Sequence, residues 1–209
     1  MGLADMQRVL ARLYTNAPLR ERFHADPLAV ARELGFSDEE ARRLAEVPPA
    51  RLDSFARSLH SKRLGQVAKL LPLSRRALGQ TFDEAFRRFA DSYVPKGTKK
   101  HLGDALAFAD YLEHKLRRGS EHPRWLLDLL RYERARLKAA DPARRVVASF
   151  FRHDISRLVR SVARREETPA AEPRLTVAVW WRPQRRGTVR YAVYSAPQFL
   201  WRGGKERQS

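Results

Sequence analysis

The chain has 209 residues, 43% of them hydrophobic, and a formal net charge of +18. That length buries one good core, or one core and a smaller second, and the composition is that of a globular chain rather than a disordered one. Cysteine is absent, which excludes disulfides, thiolate metal sites and cysteine nucleophiles and fits a reducing compartment.

No apolar run approaches the roughly 18–20 residues that span a bilayer. The opening MGLADMQRVL carries an acid and starts an amphipathic pattern, so it does not read as a signal peptide. The expected location is cytoplasmic, without a membrane partner. The charge is uneven. Residues 1–47 are net −1, residues 48–100 net +8, residues 101–143 net +1 and residues 144–209 net +10. Such an excess attracts polyanions, whether nucleic acid, an acidic peptide or an acidic protein face. An arginine-rich composition with solvated faces is the plainer alternative.

In chain order, Leu3, Met6, Val9, Leu10, Leu13 and Tyr14 recur at helical spacing over residues 3–14. A short helical turn follows around Pro18–Phe23. Asp26-Pro27 reads as an N-cap with proline at the first helical position, and Gly35 ends that helix. Ser37 with Glu40 is a capping box for a short helix that Pro48-Pro49 terminates. Leu52, Phe55, Ala56 and Leu59 open a longer helix reaching Leu71, before Pro72. Phe82, Ala85, Phe86, Phe89, Ala90 and Tyr93 form the stripe of another. After the basic loop 95–100, Leu102, Ala105, Ala109, Leu112 and Leu116 make a further stripe. Leu126, Leu129, Leu130 and Leu137 define the last long helix. Past Asp141-Pro142 the period changes. Residues 145–152 read as a strand, Asp154 caps a helix through Val162, and residues 175–181 and 188–194 are strands joined by a hairpin loop. The expected fold is α+β: an all-helical N-terminal domain followed by a small β-α-β-β C-terminal module. The expected divisions are a docking segment 1–47, a helical domain 48–140, the β-α-β-β module 144–200 and a loose tail 201–209.

No catalytic constellation is written in the chain. The histidines at 24, 60, 101, 114, 122 and 153 form no HxH, HxxxH or HExxH spacing, and there is no phosphate-cradling glycine loop or nucleophile elbow. Glu133 falls on the apolar stripe of its helix, and a buried carboxylate needs a partner. Arg57, Lys62 and Arg63 are the expected cations of an interhelical ion pair, with a catalytic acid as the alternative. The groups Lys62-Arg63, Arg75-Arg76, Arg87-Arg88 and Lys96–Lys100 could line one basic face, which would suit nucleic acid. In the 175–181 strand, Thr176, Ala178 and Trp180 share one face and Val177, Val179 and Trp181 the other. An exposed Trp180 beside a sheet edge would suit a docked peptide; its alternative is to cover the helix 154–163. The candidate peptide-binding set is therefore Thr176, Ala178, Trp180, Arg182, Arg186 and Arg190.

One segment carries a resemblance. Leu-Leu-Pro followed by Arg-Ala-Leu-Gly, a Phe-rich helix, Ala-Phe-Ala-Asp-Tyr-Leu, then Trp-Leu-Leu-Asp-Leu and Tyr-Glu run in order between residues 64 and 137. This order is similar to the helical domain of the HvfC/BufC-type (SCO6045-like) proteins, partner subunits of multinuclear non-heme iron-dependent oxidative enzymes. The resemblance implies a non-catalytic subunit without its own metal or cofactor. It would bind the iron enzyme as a heterodimer and present a ribosomally made precursor or leader peptide to it. Part of that helical family carries a DNA-binding label, so a DNA- or RNA-binding regulator is the alternative function. The stretch from Leu13 to Pro27 resembles small helical docking domains of enzyme subunits. Because no ligand cluster is visible, elemental analysis of the purified protein should find no stoichiometric iron, zinc or copper after chelation.

Overall fold

The computed structural model describes residues 3–94, 100–119, 122–167, 169–184 and 187–196. Most of the basic loop, residues 95–99, lies outside the described residues, as do Arg186 and the tail 201–209. The fold is α+β. Helices α1 (Leu3–Thr15), α2 (Ala17–Ala25), α3 (Pro27–Glu33), α4 (Asp38–Ala45), α5 (Pro49–Leu70), α6 (Pro72–Leu78), α7 (Gln80–Ala90), α8 (Lys100–Arg118) and α9 (Trp125–Ala139) come first. Then follow β1 (Val146–His153), α10 (Ile155–Arg164), β2 (Pro173–Trp181) and β3 (Arg190–Ser195), the expected β-α-β-β order. None of the described helices is long and apolar enough to cross a membrane.

The chain divides into two compact units, Met1–Val67 with Asp83–Asp104, and Ala68–Phe82 with Ala105–Ser209. In the first, α1 to α4 and the start of α5 enclose Leu13, Phe23, Ala31, Leu44 and Leu52. Local signals set these helices. Asp26 accepts from the Ala29 N–H, and Ser37 and Glu40 complete the capping box. Gly35, at φ 88°, takes the left-handed position after α3 that a side chain resists. On α5, Arg63 makes a two-pronged pair with Asp104 of α8 at 2.9 and 3.0 Å and donates to the Tyr93 carbonyl. Asp104 is 1% exposed, so this is a desolvated, hydrogen-bonded pair.

The second unit is built on α9. The sheet is antiparallel in the order β1-β2-β3. Its inner face packs Phe151, Ala178 and Trp180 against Leu129, Ala135 and Ala139 of α9 and Ile155, Leu158 and Val162 of α10. Asp154 caps α10 by accepting from the Arg157 N–H, as its place in the sequence predicts. The short helix α6 is not read from the sequence, because Pro72 looks like a stop for α5. It is instead the first residue of a new helix, where its missing N–H costs nothing. A single residue, Gly79 at φ 55°, then turns the chain into α7.

The expected ion pair of Glu133 with Arg57 or Arg63 is not formed. Arg63 is held by Asp104, and Arg57 is exposed. Glu133, fully buried, accepts the backbone N–H groups of Leu73 and Ser74, each at 2.8 Å. These are the second and third residues of α6, whose N-cap position is Leu71, a residue with no capping side chain. A carboxylate from α9 thus does the N-cap's work across space. Burial pushes its pKa above the usual carboxylate range, and the N–H donors pull the other way.

Glu133→Ala strands the buried Ser74 N–H and the part-buried Leu73 N–H, each worth about 1–3 kcal/mol when unsatisfied, so a loss of about 2–6 kcal/mol is expected in chemical denaturation. Arg57→Ala should stay within about 0.5 kcal/mol of wild type. A loss of similar size in Arg57→Ala would restore the ion-pair assignment.

Candidate binding face

The register fixes what each strand shows. Val146, Ala148 and Phe150 of β1 align with Trp181, Val179 and Val177 of β2, which align in turn with Arg190, Ala192 and Tyr194 of β3. Side chains alternate across a pleated sheet, so these nine share one face with Leu175 beside them. This is the outer face, opposite α9 and α10. Val146 is 64% exposed, Phe150 73%, Leu175 55% and Tyr194 64%. Scattered apolar side chains on a surface are ordinary, but four large ones on one sheet face form a patch of the kind that marks an interaction surface.

The structure places the sequence-derived site residues differently. Thr176, Ala178 and Trp180 are 2%, 0% and 4% exposed and belong to the inner face. The exposed Trp180 is thereby corrected: its ring lies 5.6 Å from that of Tyr132 on α9 and 5.0 Å from that of Tyr191. Burial, with Tyr132 adding to it, pushes the Tyr191 phenol well up. It is Trp181 that turns to the outer face. The 175–181 strand is also not an edge, because β2 is paired on both sides. The edges are β1 and β3, each with a row that no strand pairs among the described residues, although Asp128 takes the Arg152 and His153 N–H groups at the end of β1. Arg182 is occupied structurally. It donates to the Gly187 carbonyl at 2.6 Å and to the Ala139 carbonyl at the end of α9 at 3.2 Å. Arg190 is exposed at the start of β3, aligned with Trp181. Arg186 lies outside the described residues.

The rim is basic. The three strands contain no aspartate or glutamate, but they contain Arg152, His153, Arg174 and Arg190, with Arg145 and Arg182, and the acids Asp154 and Glu172, just beyond their ends. Arg174 leans on Asp154 at 3.5 Å, whereas Arg152 and Arg190 are exposed. Of the basic pairs expected to line one face, Arg63 is held by Asp104, and Arg76 donates to the Val162 and Ala163 carbonyls at the end of α10. No group of three or more metal-ligating side chains lies together among the described residues.

The described residues form a small α+β fold with a sheet covered by helices on one side and, among those residues, by nothing on the other. Residues 45–114, which hold α5, α6, α7 and most of α8, match the family model of the SCO6045-like, C-terminal domain. The open sheet lies outside the matched segment. No curated protein matches the chain.

Phe150 contributes to no core, so Phe150→Thr should change stability by under about 1 kcal/mol. It should also lower retention on a phenyl matrix. Retention equal to wild type would mean that the face is covered in solution.

Proposed function

We propose that the chain is a non-catalytic partner subunit. It binds a multinuclear non-heme iron oxidative enzyme and presents to it an extended, acidic, ribosomally made peptide. The supporting observation is the open apolar face of the sheet, with an edge strand on either side and no acidic residue in any strand. An edge strand offers N–H and C=O groups that an extended peptide satisfies by adding as a further strand. Such a peptide extends the sheet, and its outward side chains continue the apolar face beside Phe150 or Tyr194. The basic rim favours acidic peptides and repels basic ones. Residues 45–114 match the SCO6045-like, C-terminal domain, and the role of enzyme partner is what the resemblance to HvfC/BufC-type proteins implies. This reading needs no catalytic group in the chain and no cofactor.

The net charge of +18 favours a second reading, a DNA- or RNA-binding regulator. The two differ in their salt dependence. Duplex binding releases several counterions and falls steeply with salt, while a docking dominated by main-chain hydrogen bonds and apolar contact falls gently. The decisive measurement is a titration with an extended synthetic precursor peptide that carries apolar and acidic residues a few positions apart, and with random duplex DNA, at several salt concentrations. The peptide should bind, and Phe150→Thr should weaken it about tenfold, or 1.4 kcal/mol. Tight DNA binding with no peptide binding would reverse the assignment, and failure to co-purify with the co-expressed iron enzyme would remove the partner role.

A further inference from the structure

A cavity of about 640 Å³ opens at the far end of β1, between the α8–α9 connection and the first turns of α9. Among the described residues its walls carry five arginines and a histidine against one carboxylate, Asp128. That carboxylate is already committed. Its Oδ2 accepts the N–H groups of Arg152 at 2.7 Å and His153 at 3.1 Å and lies 2.8 Å from the His153 ring, while Arg131 stands 3.6 Å from Oδ1. Arg117 and Arg131 are satisfied by Glu113, at 2.7 and 2.9 Å. Arg118, His122, Arg124 and Arg152 have no side-chain partner among the described residues. Like charges gathered around a concavity raise its potential and concentrate anions there. No side chain caps the N-terminus of α9 at the same place, which adds to the positive field. Leu116, Pro123 and Leu127 give the cavity apolar walls, which strengthen charge-assisted hydrogen bonds made inside it.

Position tells which anion it fits. Arg152 lines the cavity and stands two residues beyond Phe150 on the same strand. Two residues of strand are roughly 7 Å. A peptide laid along β1 with an apolar residue over Phe150 therefore brings its next two or three residues to the cavity. We infer that the cavity is a subsite for a cluster of carboxylates on that peptide, and that it selects β1 rather than β3 as the docking edge. This rests on the peptide reading above, but it is tested separately.

The test is calorimetric titration of the full chain with acetylated triglutamate amide, its triglutamine counterpart and inorganic tripolyphosphate. Triglutamate should bind and triglutamine should not. Arg124→Gln and Arg152→Gln should each weaken triglutamate about tenfold. Both side chains are exposed and have no partner among the described residues, so circular dichroism should show the fold unchanged. Arg157→Gln, whose arginine is paired with Glu172 away from the cavity, should leave affinity as it was. Equal binding of triglutamine overturns the subsite, and so does unchanged affinity in both cavity variants. Tripolyphosphate binding without triglutamate binding would reassign the cavity to phosphoryl ligands. Phe150→Thr separates the two ideas. If it loses the precursor peptide while Arg124→Gln and Arg152→Gln bind that peptide as wild type does, the subsite fails and the peptide reading stands. If triglutamate binds in the cavity but no precursor peptide binds, the peptide reading fails and the anion site stands.

Discussion

Two buried carboxylates on α9 hold the second unit together, and both bind backbone. Glu133 accepts the first free N–H groups of α6, and five residues earlier Asp128 accepts the N–H groups of Arg152 and His153 where β1 ends. Each carboxylate meets donors that would otherwise be left unpaired at the end of an element. The pair of contacts fixes α9 to a helix at one point and to a strand at another. The inner face of the sheet then has one way to lie on α9, with Phe151, Ala178 and Trp180 directed at its apolar residues. Backbone donors suit this role better than cations would. They bring no charge into the core, and their direction is fixed by the helix or strand that bears them.

A sheet positioned in this way has a second face, and here no described element covers it. Three strands with helices on one side normally alternate apolar and polar residues, so that the open side is solvated. These strands are apolar on both sides. Val146, Phe150, Leu175 and Tyr194 remain in water, at a cost that a free-standing domain would avoid by substitution with threonine or lysine. The charges gathered around the face resist edge-to-edge association of copies, because like rims repel. An acidic partner meets no such barrier.

The same double apolar character limits what the sequence says about this region. The caps at Asp26, Ser37 and Asp154 and the glycine at 35 are local signals, and each is where the pattern puts it, because a cap is decided within three or four residues. The order β-α-β-β is also legible from the change of period. The facing of the sheet is not. Alternation separates Trp180 from Trp181 but does not tell which one is buried when Val177 and Val179 are as apolar as Thr176 and Ala178. Register against α9 decides it, and that contact spans more than forty residues of chain. The partner of Glu133 is hidden for a related reason. A search among cations passes over the backbone of Leu73 and Ser74, because the free donors of a helix end become visible only once α6 is known to start at Pro72.

Charge is where composition alone misleads most. A net +18 reads as a polyanion binder over its whole surface. Many of the arginines, however, are spent on structure: Arg63 on Asp104, Arg76 on the end of α10, Arg182 on the end of α9, and Arg131 and Arg117 on Glu113. Those charges are partly neutralised by carboxylates or helix carbonyls, and their side chains are not at liberty to follow a phosphate backbone. Arginine is suited to such duty because its planar fork meets two acceptors at once. A ligand therefore meets local fields rather than the total. In the second unit Arg118, His122, Arg124 and Arg152 line one cavity whose one described carboxylate, Asp128, is already taken by the Arg152 and His153 N–H groups, and Arg152 on its wall stands two residues beyond Phe150 of the apolar face. A ligand matched to both would need hydrophobic and acidic residues a few positions apart in one extended segment. A peptide can provide that adjacency, whereas a regular duplex, whose phosphates are evenly spaced along a polar backbone, has no apolar side chains to lay on Phe150.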